Sequence, residues 1–108
     1  MTEENVLTTF MRESQSTPPL SGSVNDLYAV YFEIAKRDHA VRRAALYGDQ
    51  APPAGHTPFR PLPIEHFEAR FNAAAEIRGG EDIFRRQLAR QAKVYGVETR
   101  AVAGRQAA

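Results

Sequence analysis

None of the 108 residues is a cysteine. That absence excludes disulfides, thiolate zinc sites, iron–sulfur ligation and a cysteine nucleophile. It fits a reducing compartment, and a cytoplasmic location is the expectation. No apolar run approaches the roughly 20 residues that a membrane helix needs. The first residues, MTEENVLTTFMRE, lack a basic leader and a long apolar core, so no secretory signal is expected. Net charge is small, +1 over the whole chain. Dedicated nucleic-acid modules usually carry a stronger basic footprint.

Catalytic motifs are missing as well. His39, His56 and His66 make neither H-x-x-x-H nor H-E-x-x-H. Glu65 and Glu68 have no histidine three residues on, so the helical di-metal pattern is not there. There is no G-x-S-x-G elbow and no G-x-x-x-x-G-K-S/T loop. Gly79 and Gly80 precede a helix, but Glu81 and Asp82 sit in the field of its positive end and would repel an anion. The expectation is no metal, no cofactor and no enzymatic activity.

What the chain does have is helical periodicity, punctuated by proline and glycine. Val6, Leu7, Phe10 and Met11 share one side of a short helix over about 3–13. Eleven residues are too few to be stable alone, so that helix must dock on something. SQSTPPLSGS, residues 14–23, reads as a linker or surface loop. SVND at 23–26 has the form of a capping box, with Asn25 a rival cap. A long helix follows over about 25–47 and stops at Gly48. It has two apolar arcs, one through Leu27, Val30, Tyr31, Ile34, Val41 and Ala45, the other through Tyr28, Phe32, Ala35 and Leu46.

Five prolines between residues 49 and 63 forbid helix there. Phe59 and Leu62 are expected to pin this stretch to the core; the rival reading is an exposed docking strip that includes Phe59 and Arg60. A helix over 63–78 carries Ile64, Phe67, Phe71, Ala74 and Ala75 on one stripe. After Gly79–Gly80, a last helix over 81–96 packs Phe84, Leu88, Ala92 and Tyr95, with Gly96 as its cap. The fold expected is all-α: a small helical bundle of three main helices, with an αα-hairpin and a short N-terminal helix. Residues 1–22 read as a helical arm and linker, 23–96 as the helical domain and 97–108 as a flexible tail.

Function is expected to lie on surfaces. Residues 1–22 carry net −2 and residues 79–108 net +3. Arg86, Arg90 and Lys93 fall in register along one helix face. That face reads first as a solvated side, next as a protein-partner face, and last as a phosphate-binding one, since no aromatic platform is interleaved. Gln87 and Gln91 form a polar seam between apolar residues, a pattern of interfaces. Asp38 points into an apolar arc with Arg42 one turn on, and the two are expected to form a sheltered ion pair. The apolar surface of the long helix exceeds what two partner helices can cover. The reading is therefore a non-catalytic accessory, adaptor or assembly subunit, working through a protein partner or as a homo-oligomer. The alternative is a small nucleic-acid-associated protein that uses the basic face of the last helix.

Overall fold

The computed structural model describes residues 17–51, 53–55 and 58–99. Its elements are α1 (Val24–Tyr47), α2 (Ile64–Ala75) and α3 (Gly80–Tyr95), and no strand occurs among the described residues. The chain is all-α, with α2 and α3 forming the αα-hairpin. The flexible tail expected over 97–108 is corrected at its start, where Val97 packs against the core and bonds Ala92; the N-terminal helix expected over 3–13 and residues 100–108 lie outside the described residues.

α1 begins where its local chemistry dictates. The Asp26 amide donates to Ser23 Oγ at 3.2 Å, and the Ser23 amide donates to Asp26 Oδ2 at 3.0 Å. This reciprocal box satisfies two amides that a helix start leaves open, and it makes Ser23 the cap, not Asn25.

α2 is shorter than its stripe suggests. The expected helix ran to residue 78, but the regular turns end at Ala75. The cause is the corner that follows. Ile77 N–H bonds Ala74 O at 3.0 Å, and Gly80 N–H bonds Ile77 O at 2.8 Å, so the chain winds tightly into α3. Gly79 has φ +76°, and a Cβ on Gly80 would stand 2.0 Å from the Ala74 carbonyl oxygen. Only glycine fits that approach. At the far end of α3, Gly96 takes φ +68°. Val97 N–H bonds Ala92 O at 2.8 Å and Gly96 N–H bonds Lys93 O at 3.2 Å. Those are the two bonds of a Schellman cap.

The core joins Leu20, Leu27, Val30, Ile34, Phe67, Phe71, Leu88 and Ala92. Phe84 meets Phe67 and Phe71 edge-on, at centroid distances of 5.6 and 5.4 Å. These are the favoured aromatic geometries. Tyr28 and Tyr31 reach Phe67 from α1 at 5.4 and 5.2 Å. α1 and α3 run the same way, since Arg85 lies beside the start of α1 and Tyr95 beside Asp38.

One expectation is corrected by the core itself. Residues 17–22 were read as part of a linker, yet Leu20 is 2% exposed and belongs to the core. The Pro-Pro-Leu-Ser-Gly stretch is extended because of its prolines, and it lies on α3 because α3 supplies hydrogen-bond partners for its carbonyls.

Candidate functional site

The basic residues of α3 divide into two groups. Arg85, absent from the sequence-level candidates, faces inward. Its Nη1 donates to the carbonyls of Leu20 at 3.0 Å and Gly22 at 3.1 Å, its Nε bonds Glu81 at 3.0 Å, and its guanidinium lies over the Phe71 ring at 5.2 Å. Arg86 is half-buried. It bonds Asp82 at 2.6 Å and donates to the Thr17 carbonyl at 3.0 Å. Both are spaced four residues from their carboxylates, so these pairs follow from helical geometry. The basic face is therefore not an open row of cations, because its first member is spent on holding residue 17. Arg90 is half-buried and Lys93 exposed in the last turn, where a cation suits the negative helix end. Gln87 and Gln91 are exposed, and with Arg70 and Phe67 they line a hollow of about 290 Å³.

A second cluster joins α1 to the end of α3. Asp38 and Arg42 do pair, at 2.9 Å. They are not sheltered as expected: the Arg42 side chain is 76% exposed and that of Asp38 32%. The pair lies on α1 beside Tyr95 at the end of α3. Tyr95 Oη donates to Asp38 Oδ1 at 2.6 Å. This bond, ahead of the Arg42 guanidinium and against some desolvation, holds the Asp38 carboxyl below its ordinary range. The same bond keeps the proton on Tyr95 and raises its phenol. Arg37 works beside it. Its Nη1 donates to the carbonyls of Tyr95 at 2.8 Å and Gly96 at 2.6 Å, closing the negative end of α3. Arg37 is not among the candidates read from the sequence; the signal available was that a helix end before Gly96 must find partners for its last carbonyls.

The proline-rich connection is held at its later end. Leu62 N–H donates to Tyr31 Oη at 2.8 Å, and Tyr28 Oη donates to Leu62 O at 2.7 Å. Phe59 packs on Phe32 and His39, each with centroids 5.5 Å apart. Arg60 is exposed. The pinned loop is what these contacts describe for residues 58–62, while His56 lies outside the described residues.

Beyond these anchors α1 continues to Tyr47. Residues 40–46 are all exposed. Val41 is 60% and Leu46 72% exposed, and they continue the two arcs that Leu27, Ile34, Tyr28 and Phe32 bury farther back. Among the described residues there is no cluster of three metal-ligating side chains and no helix long and apolar enough to cross a membrane. No protein-family model matches the chain, and comparison with curated proteins and with solved structures gives no match.

Proposed function

We propose that the protein is a non-catalytic accessory or assembly subunit that works through protein–protein contacts, with the projecting end of α1 as its contact element. The observation that carries this reading is the exposure of Val41 and Leu46 at the end of a helix whose earlier positions Leu27, Val30 and Ile34 are buried. Exposing large aliphatic side chains gains nothing for a lone chain, whereas covering them on association removes apolar area from water. Arg42 and Arg43, also exposed there, would rim such a contact. A cytoplasmic setting suits a chain without cysteine, as an expectation only.

The nucleic-acid alternative draws less support, because Arg85 and Arg86 are engaged with carboxylates and backbone. The deciding experiment compares wild type with V41S/L46S. Sedimentation equilibrium over a range of concentrations reads self-association, and capture from the source cells reads a partner. The expected result is a complex formed by wild type and lost in the variant. A monomer that captures nothing, or identical complexes from both chains, would overturn the reading. Binding of duplex or single-stranded oligonucleotides lost in R90E/K93E would promote the alternative.

A further inference from the structure

We propose that the hollow between α2 and α3 is a binding site for a small monocarboxylic acid with an apolar body. The apolar part of its lining is already ordered: Phe67 and Leu88 are buried, and the Tyr31 ring lies 5.2 Å from that of Phe67. Its hydrogen-bond donors come from three elements, with Tyr31 on α1, Arg70 on α2, and Gln87 and Gln91 on α3. The glutamines stand one turn apart on α3, so both carboxamides share one side of the opening. Among the described residues, no Asp or Glu lines the hollow. An apolar pocket with a few convergent polar groups is the usual form of a small-molecule site.

Two of these donors lack an acceptor, and both want the same kind of group. Arg42, Arg85 and Arg86 each bond a carboxylate four residues back on their own helix. Arg70 has His66 at that position, and among the described residues no carboxylate pairs with it. Its planar guanidinium suits a carboxylate, which it can hold through two parallel bonds. Tyr31 is the second. Its Oη accepts the Leu62 N–H at 2.8 Å, which leaves its own proton to donate. The Leu62 carbonyl is already taken by Tyr28 Oη at 2.7 Å, and no acceptor for the Tyr31 proton stands among the described residues. A carboxylate accepts only, so it matches a guanidinium, a phenol proton and a carboxamide N–H together. The size of the ligand follows from the volume. About 290 Å³ is roughly ten water volumes of ~30 Å³ each, which holds one ring or a short branched chain beside the carboxylate. The site is independent of the assembly reading, since Val41 and Leu46 do not line it.

The probe is phenylpropanoate, titrated into the full chain at low salt. Binding is followed by NMR at the Gln87 and Gln91 side-chain amides and the Tyr31 ring. A Kd on the order of a few millimolar is expected for a ligand this small. Phenylpropanamide, the same body without the charge, should bind about tenfold more weakly. So should the acid to R70Q, because a hydrogen bond to a charged group is worth about that factor or more. Arg70 is exposed, so R70Q should melt with wild type, and its lost affinity then reads the site and not the fold. Equal binding of acid and amide would overturn the proposal. So would full binding by R70Q, or no shift in wild type at acid concentrations well above the expected Kd. The last arm is a short peptide that ends in phenylalanine with a free carboxyl. Binding about tenfold tighter than that of the free acid would assign the hollow to a chain terminus and overturn the small-acid reading.

Discussion

The two ends of α1 both carry apolar residues and have opposite surroundings. Over residues 24–38 its apolar positions meet α2, α3 and the Leu20 strap, and Leu27 is fully buried. Over residues 40–46 every residue is exposed. The helix does not weaken between the halves; the coverage stops. α3 ends at Tyr95 against Asp38, and just beyond it the Phe59 ring lies on His39. The first half thus carries the core, and the second half is an exposed helical extension, the contact element proposed above. Breaking one half should cost stability, and breaking the other should cost association.

The largest effect belongs to the covered side. Phe71 is 7% exposed, with Phe84 edge-on to it and Arg85 above it. Phe71→Ala should cost about 3–5 kcal/mol, from lost burial and the cavity left behind. In a domain with one thin core that is a large part of the total. Urea denaturation of the two chains measures it, and an unchanged midpoint would remove Phe71 from the core. Next comes Arg85→Ala. It strips hydrogen bonds from the Leu20 and Gly22 carbonyls and uncovers the Phe71 face. A loss of roughly 1–3 kcal/mol is expected, the range for hydrogen bonds to a charged group. Faster amide exchange should follow at Leu20, whose N–H bonds the Arg85 carbonyl at 3.4 Å. A loss of stability with no change at Leu20 would mean that Arg85 does not hold the strap.

These two residues also mark what can be read from sequence. Phe71 was legible because its stripe repeats at helical spacing within one segment. The Ser23–Asp26 box and the Gly96 cap were legible for the same reason: each is a local device of a few residues. Arg85 was not, because the carbonyls it holds lie 63 and 65 residues away. The Tyr95–Asp38 bond spans 57 residues and was missed in the same way. Leu20 looked like linker because proline and glycine surround it, and composition does not say which extended segments find a groove. The end of α2 was misplaced because Gly79–Gly80 reads as its stop, whereas the turn into Gly80 already begins at Ala74 and closes the regular helix at Ala75. For function, surface exposure alone was legible: the surplus apolar residues of α1 could be counted, but not what covers them.

A smaller effect sharpens the boundary between the halves, where Tyr95 meets Asp38. The Asp38 carboxyl is held low, first by the Tyr95 hydroxyl and then by Arg42, against desolvation. A group with a lowered folded pKa contributes stability above its unfolded value and loses it as pH falls through the folded one. The Tyr95 phenol is raised, first by its bond to Asp38. Its contribution is present below the unfolded value and is lost as pH rises through the folded one. Wild type should therefore exceed Y95F in melting temperature near neutral pH. That difference should shrink below about pH 4 and again above about pH 10, the ordinary ranges of the two groups. A difference that is flat across pH would mean that the bond does not form in solution.

The smallest effect on stability is expected at the far end of α1. In V41S/L46S two side chains that touch little are replaced by smaller polar ones. Serine forms helix slightly less well than leucine, so the cost should stay within about 0.5 kcal/mol per site, the usual range for surface substitutions. Thermal melts of dilute protein, below any association, measure this term alone. At high concentration the wild type should melt higher than when dilute, because a partner copy that binds only the folded chain stabilises it. The variant should melt at one temperature throughout. If the partner is a different protein, the same shift appears on adding it and is again absent in the variant. A loss in dilute protein of about 1.5–3 kcal/mol, the scale of burying one large aliphatic side chain, would give the opposite answer. The end of α1 would then be covered within its own chain, and the contrast between the two halves of the helix would fail.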